Sequence, residues 1–467
     1  MDFQGFLCGL PLDKLRKRPL FSLPNRLRSL PARPAWPAWP GAGLSLSRTR
    51  TKIKRKHLPV GSGEHTVGCV DLMNGQSTDG TFLRLYYPTF PTNVMERENQ
   101  WPLWLPRKHY GKGYVYFRRM NTKVFGTLLN WIGGEVFVPA LWQAPVLSNG
   151  HCFPVVLFSH GLGGNRTTNT TICCELASHG FIVAAIEHRD GSASMTYHLR
   201  PTLSPELRPA ASMEEEQEED GEDFFQQHHS IQEEWRRYER QEPEDDYTIR
   251  NKQVHVRAEE MKRMLDLLEA LNAGNKVHNL LKYHFDFTQF KGLLDLDRVG
   301  IVGHSFGGAT SIATLSKDPR FKVGVALDSW MLPIEDDLYT KVQQPTLLVN
   351  TETFQWADNV RPMYKLGVNQ GSNLDRVMIT IRGTCHQSSS DFQFMINKQL
   401  GMLMSFRHTL SPRLAMALHM KATLGFLHKH LGIPGKSHYE DILTGNDSHV
   451  ILGTNVDLSE ASTQSQD

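Results

Sequence analysis

The sequence predicts an α/β fold, a mostly parallel central sheet with helices on both faces. Three observations carry that expectation. Short runs rich in Val, Ile and Leu alternate along the chain with stretches of helical periodicity, the pattern of strands buried on both sides and joined by helical crossovers. Two of these runs break into glycine-rich turns, His160-Gly161-Leu162-Gly163-Gly164 and Gly303-His304-Ser305-Phe306-Gly307. In a third place Met261, Met264, Leu265, Leu268 and Leu271 fall on one helical face, with Gly274 as a stop.

Composition bounds the function. At 467 residues the chain holds one large α/β domain with extensions, or two smaller ones. A formal net charge of +2 argues neither for nor against an anionic partner, and no nucleic-acid partner is expected. None of the six cysteines forms a CxxC pair, so most read as small buried hydrophobes. There is no HExxH and no Cys/His cluster with zinc-ligand spacing, so no metal and no cofactor are expected. No apolar run reaches the roughly 18–20 residues of a membrane-spanning helix. The apolar stretch 3–12 is followed, not preceded, by basic residues, the wrong polarity for a secretory signal. Cytoplasmic or peripheral-membrane placement is therefore expected, and an extracellular one only if the true start differs.

Residues 1–60 are basic, acid-poor and proline-rich and read as a disordered extension. Order is expected from about Gly61 to Gly432. The stretch 81–88 alternates and then turns aromatic, as a strand does. Within 114–138, Val124, Phe125, Leu128, Leu129, Trp131 and Ile132 cluster on one side at helical spacing, beside Arg118, Arg119 and Lys123. Such a helix faces the core by default; an interfacial helix dipping into lipid is the alternative. Phe153–Ser159 and 180–186 read as buried strands with a helix between them. Residues 201–247 form an acidic insertion around the block 214–220. The remaining strands are expected at 299–302, 322–327, 345–350 and 376–381, and the last helix at 415–431. Residues 433–467 read as a polar tail. The Asn165, Asn169 and Asn446 sequons are read as unused.

The chemistry centres on Ser305. Gly-x-Ser-x-Gly between a buried strand and a helix is the nucleophile elbow of an α/β-hydrolase, in which side-chain-free neighbours let strand and helix pass closely. The glycine-rich turn after Ser159 exposes backbone N–H groups, as an oxyanion hole requires. A serine nucleophile needs a base and the base an orienting carboxylate, in the chain order serine, acid, histidine. His386, after the last parallel strand, suits the base. Two acids at strand ends, Asp328 and Glu352, suit the third place equally. His419, His428 and His430 suit packing or surface roles on the last helix.

The blocks Gly303-His-Ser-Phe-Gly-Gly-Ala-Thr310, Phe158-Ser-His-Gly-Leu-Gly163, 177–190, Val67-Gly-Cys-Val-Asp-Leu-Met73, 80–88, Ala326-Leu-Asp-Ser-Trp330 and Phe426-Leu-His-Lys-His-Leu-Gly432 resemble the platelet-activating-factor acetylhydrolases of the serine-lipase type, over about 65–432. The resemblance implies a calcium-independent esterase that removes a short or oxidised sn-2 acyl group from a phospholipid at a membrane or lipoprotein surface. It implies Ser305 as nucleophile, His386 as base, Asp328 rather than Glu352 as the orienting acid, and the Leu162 and Phe306 N–H groups as oxyanion donors. Lipid contact is expected through Val124, Phe125, Leu128, Leu129, Trp131 and Ile132, and through a second apolar set, Phe392, Phe394, Met395, Ile396, Leu400, Met402, Leu403 and Met404. The chain departs from the family at Gly163-Gly164-Asn165-Arg166, at Gly191, at Thr384-Cys385-His386 and at Asp2, where acylated relatives carry glycine. Other readings are a general carboxylesterase or thioesterase of the same fold, and a silent lipid-surface binding module.

Overall fold

The structure, a computed structural model, describes residues 55–203, 229–240, 246–371, 374–395, 408–434 and 439–459. Its centre is a ten-stranded sheet. The strands are β1 (Thr66–Asn74), β2 (Thr81–Thr89), β3 (Leu141–Trp142), β4 (Phe153–Ser159), β5 (Ile182–Ile186), β8 (Leu294–His304), β9 (Val323–Leu327), β10 (Thr346–Thr351), β11 (Arg376–Ile381) and β12 (Val450–Leu452). They lie in the order β12-β11-β10-β9-β8-β4-β5-β2-β1-β3. From β11 to β5 every neighbouring pair is parallel, and β5–β2, β2–β1 and β11–β12 are antiparallel. This is the α/β-hydrolase architecture. The parallel strands are the continuous apolar runs of the sequence, and β4, β5, β9 and β10 are buried along their whole length because helices cover both faces.

Two apolar layers flank the sheet. One contains α3 (Thr170–Ser178) and α6 (Pro412–His430); the other contains α4 (Asp246–Ala273) and α5 (Phe306–Leu315). The expected stop at Gly274 is met by a φ of 78°, a backbone conformation open to glycine. Two further helices, α1 (Lys108–Phe117) and α2 (Thr122–Gly133), pack against each other, and a separate hairpin of β6 (Met195–Leu203) and β7 (His229–Arg237) packs on α1. Trp235 of β7 stacks on His109, with ring centres 4.3 Å apart. Among the described residues no helix is long and apolar enough to cross a membrane.

Several expectations need correction. Order begins before Gly61: Leu58 is buried, and its N–H donates to the Phe137 carbonyl at 3.0 Å. A single leucine between the basic run 54–57 and Pro59 leaves no periodic signal. The segment after Gly432 is not only a polar tail, because β12 closes the sheet edge, pairing Ile379 with Leu452 and Ile381 with Val450. A three-residue strand is too short to show alternation. The flanks of the 201–247 insertion form the β6–β7 hairpin. Residues 1–54 and the acidic block 214–220 lie outside the described residues.

Candidate active site

Between β4 and β8 the direction of the crossovers reverses, which opens a crevice at the carboxyl ends of the strands where ligands of such sheets bind. Ser305 stands there, between β8 and α5, with φ 59° and ψ −119°. A non-glycine residue in this region is strained, and hydrogen bonds on both sides hold it. Its N–H donates to Leu327 O at 2.9 Å, and its C=O accepts from the N–H groups of Gly308 (2.9 Å), Trp330 (3.2 Å) and Ala309 (3.3 Å). The elbow needs its glycines: a Cβ at Gly303 would lie 2.0 Å from Gly307 O, and one at Gly307 2.0 Å from Ser159 O.

Asp328, just past β9, and His386, just past β11, complete a line. His386 Nε2 lies 3.0 Å from Ser305 Oγ, and Nδ1 lies 2.6 Å from Asp328 Oδ2. The Asp328 carboxylate also accepts from the Thr351 N–H at 2.7 Å and the Thr351 hydroxyl at 2.8 Å. It is buried and multiply bonded, so its orientation is fixed. Ser305 is 3% exposed, whereas the His386 side chain is 13% exposed; the line therefore opens to solvent at the imidazole. Phe354 stacks on that imidazole, with ring centres 3.7 Å apart. From below, His304 Nε2 lies 3.1 Å from the His386 carbonyl. Burial, then the neighbouring His386, holds His304 well below the ordinary histidine range; it is neutral and donates its Nε2–H. Glu352 sits elsewhere: its carboxylate accepts from the Gly383 N–H at 2.7 Å and braces the turn leading to His386. The geometry thus separates two acids that strand ends alone leave equivalent.

The loop after β4 faces Ser305. Among the described residues, no hydrogen bond takes up the Leu162 N–H or the Phe306 N–H. Both belong to peptide units whose carbonyls are held from behind. Gly161 C=O accepts from His160 Nδ1 at 2.8 Å and Gly164 N at 3.0 Å, and Ser305 C=O from the three donors above. Such chains orient the amide and polarise its N–H. The loop is anchored beyond Gly164 by Arg166, which meets Asp71 at 2.8 Å and Glu187 at 2.5 Å. Arg84 meets the same Asp71 at 2.5 Å. Burial would raise the Asp71 carboxyl, but Arg166 and Arg84 overcome it and hold the group well below the carboxylate range. The sequon residues Asn165 and Asn169 are buried here.

The segment expected to meet lipid is partly described. Phe125 is 39% exposed, whereas Leu129 packs against the core. The side chains of Val124, Leu128, Trp131 and Ile132 are outside the described residues, as are Ile396, Leu400, Met402, Leu403 and Met404. The second set needs correction at its start. Phe392 and Phe394 pack on the core, Met395 is buried, and Phe392 meets Tyr114 and Trp104 with ring centres 5.0 and 5.5 Å apart. Their inward anchor is Asp391, which accepts from Trp104 Nε1 (2.9 Å) and from the Thr170 and Thr171 N–H groups at the start of α3 (2.8 and 2.9 Å). Burial pushes its carboxyl up to about 7.

Sequence reasoning misses Thr351, Phe354, His304 and Asp391. Thr351 had a signal, since it directly follows the predicted strand 345–350, beside Glu352. Phe354 and Asp391 act through contacts far apart in sequence and had none.

Comparison with known proteins gives a consistent picture. The family model described as platelet-activating factor acetylhydrolase, isoform II, matches residues 50–449. The platelet-activating factor acetylhydrolase of Canis lupus familiaris is 37% identical over 410 residues, covering 87% of this chain and 85% of that one. The protein of the same name from Gallus gallus is 39% identical over 409 residues, covering 87% and 91%. Among solved structures, a ferulic acid esterase from Streptomyces cinnamoneus superposes with a TM-score of 0.54 at 16% identity, covering 85% of this chain and 99% of that one. That last likeness speaks for the fold alone.

Proposed function

The chain belongs to the platelet-activating factor acetylhydrolase family and is an ester hydrolase, and we propose that it cleaves the short-chain or oxidised sn-2 acyl group of phospholipids through Ser305, His386 and Asp328, without calcium. The observation that carries this reading is the continuous hydrogen-bonded line from Ser305 Oγ through the imidazole to a buried carboxylate, on a strained elbow facing two backbone N–H groups.

In this reading His386 Nε2 takes the Ser305 hydroxyl proton as Oγ attacks the ester carbonyl. Asp328 stabilises the imidazolium and, with Thr351 fixing the carboxylate, keeps the ring in the tautomer with the proton on Nδ1. The Leu162 and Phe306 N–H groups meet the oxyanion, each worth roughly 10^2–10^3 in rate. Collapse expels the sn-2 oxygen, which takes the proton from Nε2 and leaves as the lysophospholipid. A water then loses its proton to Nε2, attacks the acyl-serine, and the carboxylic acid departs as Ser305 regains its hydrogen. No step requires a metal. The phospholipid is met at a membrane or lipoprotein surface, with α2 as the contacting helix; the exposed Phe125 and Lys123 support that placement.

The test compares hydrolysis of acetyl and long-chain sn-2 phospholipids and a simple water-soluble ester, with and without a chelator. The proposal expects the acetyl phospholipid to be preferred and chelation to change nothing. Equal turnover of the long-chain substrate, or calcium-restored activity, would contradict it.

A further inference from the structure

The face of α4 turned towards the catalytic loops is polar. Arg250, Gln253, Arg257 and Glu260 recur at three- and four-residue spacing, and none is more than 4% exposed, so they form one buried stripe. Its centre is Arg257. Its Nη1 donates to His160 C=O at 2.8 Å, Nη2 to Ser192 Oγ at 2.6 Å, and Nε to Asp190 at 3.1 Å. The guanidinium carbon lies 4.3 Å from the centre of the Phe306 ring. The segment it holds is itself tied to the loop after β4: Gly163 N donates to Ser192 O at 2.8 Å, and Ser194 N to Gly164 O at 2.9 Å. A single side chain thus touches both sides of the crevice, the loop that carries Leu162, at the His160 carbonyl, and the ring of Phe306.

We propose that Arg257 is a positioning residue for the oxyanion hole, fixing the Leu162 N–H at its working separation from the Phe306 N–H. The inference rests on the reading of those two groups as oxyanion donors. Its physical basis is that the donors arise from different strands, β4 and β8, so covalent geometry alone does not set their separation. A misplacement of about 1 Å can cost on the order of 10^2 in rate. A guanidinium suits the task. Its rigid planar fork meets several acceptors in fixed directions and its flat face stacks on an aromatic ring, whereas an ammonium group is a compact point charge with rotatable donors and no flat face. Arg257 is fully buried, so it acts through the loop and the ring, not on substrate. Desolvating a guanidinium is costly unless its donors are met, and here the acceptors it meets are the pieces whose placement matters.

Two variants test this: Arg257→Lys, and the double variant Arg257→Gln with Asp190→Asn, which leaves no unpaired buried carboxylate. Each is assayed on a water-soluble ester for kcat and KM. Each is also titrated with a trifluoromethyl ketone, which forms a tetrahedral oxyanion on the serine, and with an sn-2 ether phospholipid, which has no carbonyl to attack. The proposal expects kcat to fall about 10- to 100-fold with KM within about threefold. Ketone affinity should fall by the same factor as kcat/KM, and ether affinity should hold. A kcat within about twofold of the unaltered chain overturns it. So does equal weakening of ketone and ether, or loss of the cooperative melting transition in both variants, which would make Arg257 a folding residue. Ser305→Ala is run alongside. If it binds the ketone as tightly as the unaltered chain, the nucleophile reading fails, independently of Arg257.

Discussion

Among the described residues, two serine–histidine–carboxylate lines run through this molecule, and one of them stands on a strained turn and reaches solvent at its imidazole. The first joins Ser305, His386 and Asp328. The second joins Ser159, His188 and Glu260: His188 Nε2 lies 2.8 Å from Ser159 Oγ, and Nδ1 lies 2.5 Å from Glu260. Connectivity and distances are nearly the same; the surroundings are not. Ser305 sits on a strained turn with φ 59°, whereas Ser159 ends a regular buried strand. The His386 side chain is 13% exposed and that of His188 0%. Burial and the nearby Arg257 hold the His188 imidazole far below its ordinary range, and burial pushes the Glu260 carboxyl up to about 7. A base so opposed to protonation cannot take a hydroxyl proton readily. The comparison teaches that a triad is defined by strain, access and facing donors as much as by three side chains in a row. The second line is a brace: Glu260 also accepts from the Arg189 N–H at 2.9 Å, and the His188 N–H donates to His160 at 3.2 Å, which ties α4 to the loops after β4 and β5.

The largest effect that could break this contrast is at the two serines. Ser305→Ala should lower turnover by about 10^5–10^6 with the fold intact, and Ser159→Ala by less than about tenfold. Comparable losses in purified, folded variants would remove the distinction. Next come the acids. Asp328→Asn should cost on the order of 10^4 through the wrong tautomer and the unstabilised imidazolium, and Glu352→Gln far less, because Glu352 only braces the turn before His386. Steady-state rates on a soluble ester rank the two, and the reverse order would move the third role to Glu352.

How much of this was legible in the sequence depends on the range over which each feature is encoded. The parallel strands, the turn at Ser305 and the position of His386, the proposed base, are local: apolar runs, a glycine pattern and a loop position suffice. The choice between Asp328 and Glu352 was not local. The proposal of Asp328 rests on which strand end reaches His386 and on Thr351 on the neighbouring strand, and only the resemblance to a family pointed to it beforehand. The buried polar stripe of α4 was hidden because the apolar residues Met261 to Leu271 dominate the helical pattern. Polar residues on the same helix read as solvent-facing until their partners in other loops are known. Leu58 and β12 were missed because one to three residues carry no periodicity.

Smaller effects sharpen the contrast at the periphery. The double variant Leu128→Ser with Trp131→Ser should lose most vesicle co-sedimentation while keeping soluble-ester turnover within about twofold, if α2 meets lipid. Unfolding, or unchanged sedimentation, would place the segment in the core or away from the surface. The last effect concerns stability. Asp71 is held well below the carboxylate range in the folded chain, so its contribution is present above an unfolded value of about 3.9. It is lost as pH falls through the lower folded value. Urea midpoints should therefore decline below about pH 4, and Asp71→Asn, which leaves Arg84 and Arg166 underpaired, should cost about 3–5 kcal/mol at neutral pH. A flat acid limb would contradict the ion-pair account.

The most direct measurement is to label the purified chain with a serine-directed fluorophosphonate and locate the adduct by peptide mass mapping. The account predicts one adduct, on the peptide containing Ser305, abolished by Ser305→Ala and kept by Ser159→Ala. An adduct on Ser159, or none on a chain that still hydrolyses ester, would contradict it.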